Sequence, residues 1–328
     1  MPATIRINRI VMIVIGVGIV GVVLAGICIQ IYDVDKFDGK AASDTRSDNQ
    51  WQIAFVWCPA GTFSMGSPDG DPYSDSDEHP KSSVTLSHGF WIGKFEITQL
   101  QYEKVMGINP SSFRMGGPNG KELNSDVLSA GTDQFPVESM SWEDAMTFCY
   151  KLTLSERAAG RLPSNWVYTL PTEAQWEYAC RATTTTRFAF GDDLSIQDAN
   201  AHTFLATGRD WKLDEAALRR PAKVGSYRPN LWGIHDMHGN VSEWCRDHFQ
   251  PRLIGGVDPI FEESQKNERS VRGGSYAGVK QVDQSWPFSA RSANRSGNDV
   301  AVFNKKGGPA YLGFRVAICR VGNKSRLK

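Results

Sequence analysis

Between Ile10 and Ile31 the chain runs for 22 residues without a charge, "IVMIVIGVGIVGVVLAGICIQI", with Gln30 as its one polar amide. Coiled as a helix at about 1.5 Å per residue, such a run spans about 33 Å, the thickness of a bilayer core. Arg6 and Arg9 precede it, whereas Asp33, Asp35, Lys36 and Asp38 follow it. The positive-inside bias then places the N-terminus in the cytoplasm and everything after Tyr32 outside. A cleaved signal peptide would need a shorter apolar run and a small residue where Ile27 stands. The same isoleucine argues against lipidation at Cys28. The expectation is a single-pass signal anchor in the cytoplasmic (inner) membrane over 10–32, with residues 1–9 inside and the remainder periplasmic or extracellular. Gly21 and Ala25 have small-xxx-small spacing, which suits packing against another transmembrane helix, although glycines are common in such helices anyway.

The rest of the chain has globular composition. Lys plus Arg equal Asp plus Glu at 36 each, so no net charge draws the protein to nucleic acid. Ten Trp, 16 Phe and 9 Tyr accompany 31 Gly and 16 Pro, a balance that buries aromatics between irregular loops. Asp33–Gln50 is polar with one large apolar residue, Phe37, and residues 33–51 read as a flexible tether. "WQIAFVWCPAGTFSMGS" predicts two strands about a Pro59-Ala60-Gly61 turn, and "SVTLSHGFWIGKFEIT" alternates as strands. Asp69–Pro80, "DGDPYSDSDEHP", reads as an acidic surface loop. Thr98 with Gln101, Ser141 with Asp144 and Thr172 with Gln175 predict capped helices at "QLQYEKVMG", "WEDAMTFCYKLTLSERAA" and "EAQWEYACRA". Leu213–Arg219 suggests a helical turn or two. Short strands are expected at "GIHDMHGNVSEWCRDHF", "RSVRGGSYAG" and "GFRVAICRV". With no repeat and no internal boundary, the pattern predicts one irregular α+β domain over 52–322 and a basic tail over 323–328.

Cys58, Cys149, Cys180, Cys245 and Cys319 follow the apolar run; none is spaced CxxC, which argues against zinc. Their pairing is open, and an odd number leaves at least one without a partner in the same chain.

"FVWCPAGTFSMGS", "FWIGKFEITQLQYEKVMGINPSSF", "FPVESMSWEDAMTFC", "LPTEAQWEYACRA", "NLWGIHDMHGNVSEWCRD", "VRGGSY" and "LGFRVA" follow one another in this order. Together they resemble the successive motifs of the formylglycine-generating enzyme, or sulfatase-modifying factor, family. The resemblance implies a fold related to C-type lectins, low in regular structure, often with structural calcium. In the enzyme it implies oxidation of a sulfatase cysteine by oxygen at a copper ion held by two cysteines. Other members have iron-dependent or structural roles, so the fold alone does not settle function.

The resemblance puts the two copper cysteines at Gly278 and Asp283. Glycine offers no side chain, and a lone carboxylate is a hard ligand for soft Cu(I). No copper is therefore expected. Ser275, Trp244 and Arg291 match positions that line the enzyme's cleft, and Tyr311 stands where the enzyme has an asparagine. Arg291 also reads as a buried guanidinium satisfied by loop carbonyls. His235 and His238, with His248 and either Asp236 or Asp247, could in principle form a two-histidine, one-carboxylate iron site; the resemblance instead makes "DMHGNV" part of a calcium loop. It implies calcium ligands at Asn240, Glu243 and the carbonyls of His238 and Val241. A second calcium site would begin at Asn200 and Ala201, but Glu215 or Ala216 stands where an aspartate is needed. The reading that follows is a non-catalytic, membrane-anchored domain that binds other membrane or periplasmic proteins. A divergent enzyme or maturation factor using the retained cleft is the alternative.

Overall fold

Three helices begin where a hydroxyl caps them. Thr98, Ser141 and Thr172 each accept the N–H three residues on, and Gln101, Asp144 and Gln175 reach back to the cap's own N–H. Each such cap is worth about 1 kcal/mol. The computed structural model describes residues 37–201, 204–207, 210–213, 218–263, 266–277, 289–300 and 308–321, all within the compact unit Val34–Lys328. Its helices are α1 (Gln99–Met106), α2 (Ser125–Ala130), α3 (Trp142–Ala158) and α4 (Glu173–Arg181). The strands are β1 (Thr45–Arg46), β2 (Phe55–Cys58), β3 (Gly61–Met65), β4 (Ser82–Leu86), β5 (Phe90–Gly93), β6 (Trp166–Thr169), β7 (Phe204–Thr207), β8 (Asp210–Leu213), β9 (Ser242–His248), β10 (Gly256–Val257), β11 (Glu268–Arg272), β12 (Ser296–Asp299), β13 (Leu312–Gly313) and β14 (Ala317–Arg320).

The largest sheet has the order β1-β2-β5-β14-β6. It brings the C-terminal strand between two early ones, with Ile318 opposite Trp91 on one side and Tyr168 on the other. A second sheet, β12-β11-β9-β13, carries the motifs about Glu243 and Arg272. The β10-β4-β3 sheet and the β7-β8 hairpin complete the set. Helix α3 buries Ala145, Phe148, Cys149, Leu152 and Glu156 at three- and four-residue spacing. Phe148 and Phe314 pack with Tyr102 there, and Trp57, Trp91 and Trp166 continue the same core across the sheet.

The mixed α+β architecture is the one expected. The tether is not: from Phe37 onward it is part of the domain. Phe37 is only 8% exposed and packs on Trp166. Gly39 lies against Trp57, 2.2 Å from where a Cβ would meet its ring. Strand β1 pairs with β2. A polar stretch with one aromatic becomes ordered because that aromatic has a pocket to fill. The acidic loop also folds inward, since Glu78 is fully buried. Of the helical turn expected over 213–219, Leu213 belongs to β8, residues 214–217 lie outside the described residues, and Leu218 and Arg219 are not helical. Ile10–Ile31 and the basic tail lie outside the described residues, among which no helix is long and apolar enough to cross a membrane.

Candidate functional site

The Gly273-Gly274 turn has a geometric reason. Both glycines have positive φ, 93° and 65°, where a side chain is strained. A Cβ on Gly274 would lie 2.9 Å from the Ser289 carbonyl and the Ala290 nitrogen. The turn therefore brings together the residues on either side of 278–288. Gly278 and Asp283 lie outside the described residues. On the near side, Ser275 is buried, and its hydroxyl oxygen accepts the Ala277 N–H at 3.3 Å. Tyr276 packs edge-on against Phe113 and donates its hydroxyl to the Ala310 carbonyl at 3.1 Å. Tyr311, half-buried, packs at the border of this aromatic cluster and the main core. Ser275 and Tyr311 are thus brought to one aromatic-lined region. Sequence reasoning missed Phe113 and Tyr276, which line it.

The other two candidates go elsewhere. Trp244 is fully buried in the main core, and its indole N–H points to the Met140 carbonyl at 3.4 Å. Arg291 is buried too, but its partner is a carboxylate and not the loop carbonyls. Its two terminal nitrogens meet Glu78 at 2.7 and 2.6 Å, and one also donates to Ser67 at 3.2 Å. Desolvation pushes the Glu78 carboxyl up, but the Arg291 hydrogen bonds and charge outweigh it and hold the group below the usual range. Beside this pair lies a cavity of about 320 Å³, lined also by Asp71, Arg181 and Arg187. Arg181 is paired with Glu177 and Arg187 with Asp71.

The calcium loop is tied into a buried polar network. Asn240 has φ 57°, an αL residue between Gly239 and Val241. Its amide oxygen accepts from Asn200 at 3.1 Å and from the Ala222 N–H at 2.9 Å, and its amide nitrogen donates to Glu96 at 3.0 Å. Glu243 accepts from Arg315 at 2.6 Å through both oxygens and from Trp176 at 2.8 Å. His238 presents one ring nitrogen to the Ala290 carbonyl at 2.7 Å and the other to the Ala189 N–H at 3.0 Å. Burial, with the Arg181 charge, outweighs the Ala290 hydrogen bond and keeps that imidazole neutral, its pKa lowered to about 4. Both side chains expected as ligands, Asn240 and Glu243, are therefore engaged by protein; the other two expected ligands are the backbone carbonyls of His238 and Val241. Beside them Glu96, Asp236 and Glu243 share the charge of Arg315, although their oxygens do not converge within 4.8 Å of one another. Burial and the neighbouring Asp236 and Glu243 charges push Glu96 up, and burial raises Asp236 to about 6. A bound cation would balance that surplus.

His235, His238 and His248 do not converge with Asp236 or Asp247 among the described residues. Among the described residues, the one group of three His, Cys, Asp or Glu side chains within 4.8 Å is Asp75, Asp77 and Glu78. Glu78 is already committed to Arg291. His235 donates its Nδ1–H to the Tyr227 carbonyl, 2.8 Å away, and packs at a tilt against Phe95. The thiols fare alike. Cys58, Cys149, Cys180 and Cys245 are buried and Cys319 half-buried, all unpaired. Burial pushes Cys180 up to about 12 and Cys319 to about 11, and the other three also upward. Thiols so protected are poor nucleophiles and poor copper ligands.

Against this geometry the comparisons are clear. A family described as the sulfatase-modifying factor enzyme 1-like domain matches residues 41–319. The chain belongs to that family. A protein named "Chaperone protein LppX" from Paenibacillus barcinonensis is 30% identical over 239 residues, covering 63% of this chain and 76% of its own. The formylglycine-generating enzyme of Streptomyces coelicolor is 28% identical over 289 residues, covering 73% of this chain and 83% of its own. Among solved structures, PvdO from Pseudomonas aeruginosa superposes with a TM-score of 0.64 at 24% identity, over 85% of this chain and 99% of its own, a likeness of fold.

Proposed function

We propose that this chain is a membrane-anchored, extracytoplasmic member of the family without formylglycine-generating activity, serving as a binding or structural subunit of a membrane protein complex. One observation carries the reading. The resemblance puts the family's two copper-cysteine positions at Gly278 and Asp283, and of the thiols of the domain Cys58, Cys149, Cys180 and Cys245 are buried and Cys319 half-buried, all with raised pKa values. Soft two-thiolate chemistry would then lack the family's donor pair. The likeness to a protein named a chaperone supports a binding role.

The second reading is a divergent enzyme or maturation factor. The enzyme relatives, together with the aromatic region at Tyr276 and Tyr311, favour it. Structural calcium belongs to either reading, with its support in the Glu96, Asp236 and Glu243 surplus; the carbonyls of His238 and Val241 would be its ligands from the expected set, since Arg315 holds the Glu243 carboxylate. The anchored-subunit reading is tested by solubilising native membranes and purifying the full chain. A partner protein at fixed stoichiometry supports it. A chain recovered alone that turns over a peptide substrate refutes it.

A further inference from the structure

A basic loop crosses three aromatic rings. From Leu218 to His235 the chain carries Arg219, Arg220, Lys223 and Arg228 and no Asp or Glu. The Arg220 guanidinium lies 5.9 Å from the centre of the Phe135 ring, and the Arg228 guanidinium 4.2 Å from that of Phe190. Between them the Val224 N–H donates to the Gln134 carbonyl at 2.9 Å, and a Cβ on Gly225 would lie 2.6 Å from the Phe95 ring. Phe95 carries its own cation, the Lys94 ammonium, at 5.6 Å. The loop is pinned from within. The Gly225 N–H donates to the Asp236 carboxylate at 2.6 Å, and the Ser226 hydroxyl and N–H close a turn on the Lys223 carbonyl.

Little of this charge is answered. Among the described residues, the one carboxylate within ion-pairing distance of Lys94, Arg220, Lys223 or Arg228 is Asp198, which meets Arg228 at 2.6 Å. Glu96 and Asp236, inside the loop, are buried with Arg315. Lys223 is exposed, and the Arg228 side chain stays 55% exposed despite its partner. Three of the four cations lie over rings, so they have lost part of their rotamer freedom before any ligand arrives. An anion that binds them then costs less side-chain entropy than one that gathers free lysines. Leu231, 68% exposed and three residues on from Arg228, adds apolar area. Arginine and aromatic groups side by side, with an apolar neighbour, are the mixture that protein interfaces favour.

We propose that this row of cations, Lys94, Arg220, Lys223 and Arg228, is the surface that docks the partner protein, and that it takes an acidic segment of that partner. The inference rests on the reading of the chain as a binding subunit and names the chemistry of what it binds. The carboxylates of such a segment balance charges that the fold itself leaves unbalanced, and complementary charge also speeds the encounter.

The probe is a fluorescein-labelled oligoglutamate peptide, read by anisotropy against the full chain in neutral detergent. Lys94→Gln with Lys223→Gln, neither of them a core residue, should weaken binding about tenfold. Lys104→Gln with Lys151→Gln removes the same charge from exposed lysines of α1 and α3 and should change affinity by less than about twofold. Equal affinities of the two double variants overturn the proposal. So does tighter binding, dependent on Lys94 and Lys223, to phosphatidylglycerol vesicles or to a single-stranded oligonucleotide than to the peptide. Purification from native membranes separates this inference from the reading beneath it. A partner lost from the Lys94→Gln, Lys223→Gln chain but kept by the wild type supports both. A partner that co-purifies equally with the two chains overturns the docking surface alone, and a wild-type chain that recovers no partner loses the subunit reading and this inference with it.

Discussion

Replacing Arg291 by Met tests whether this cleft position is structural. Glu78 is fully buried and takes two charge-assisted bonds from Arg291 at 2.6 and 2.7 Å. Without the guanidinium it keeps the Ser67 hydroxyl and a long contact to Asn294 at 3.4 Å. An uncompensated buried carboxylate costs about 3–5 kcal/mol. The double replacement Glu78→Leu with Arg291→Met removes both charges and leaves apolar groups of similar size, so it should cost far less than the sum of the singles. Urea unfolding in detergent, followed by tryptophan fluorescence, gives both numbers by linear extrapolation. The sign with pH follows as well. A carboxylate held below its ordinary range contributes stability above about pH 4.5 that is lost as pH falls through its folded value. A loss under about 1 kcal/mol for Arg291→Met, with an unchanged m-value, would refute the reasoning and return Arg291 to the list of groups free to meet a ligand.

Two other outcomes follow from buried groups. Asp247 is raised to about 7 by burial and by the nearby Glu173, so the folded state keeps a proton the unfolded chain has released. Its effect makes stability fall as pH rises from about 4 to about 7, and Asp247→Asn should flatten that slope in melting curves taken at pH 5 and 7.5. Gly39→Ala drives a Cβ to 2.2 Å from Trp57 and should cost about 1–3 kcal/mol, read as a lower melting temperature; no change would mean that residues 37–51 are not seated in the core. Chelation with EGTA should lower the melting temperature if a cation balances Glu96 and Asp236, and an unchanged value removes calcium from the account.

Local chemistry made much of this fold legible. Thr98, Ser141 and Thr172 announce their helices within four residues, and the Pro59–Gly61 turn announces β2 and β3. What stayed hidden depends on partners far along the chain. Glu78 looks like surface in an acidic loop, since Arg291 lies 213 residues away. Phe37 looks like one aromatic in a linker, since Trp166 and Trp91 arrive from later strands. The site divided for the same reason. Ser275 follows the glycine turn and Tyr311 packs beside Tyr276, whereas Trp244 belongs to the core and Arg291 to an ion pair, a division made only in three dimensions.

The account turns on whether this fold performs copper chemistry. The direct measurement is copper loading of the purified full chain under reducing conditions, with metal content and aldehyde formation on a cysteine-containing sulfatase peptide read from one preparation. The account predicts no stoichiometric copper and no formylglycine. One copper per chain together with aldehyde product would contradict it.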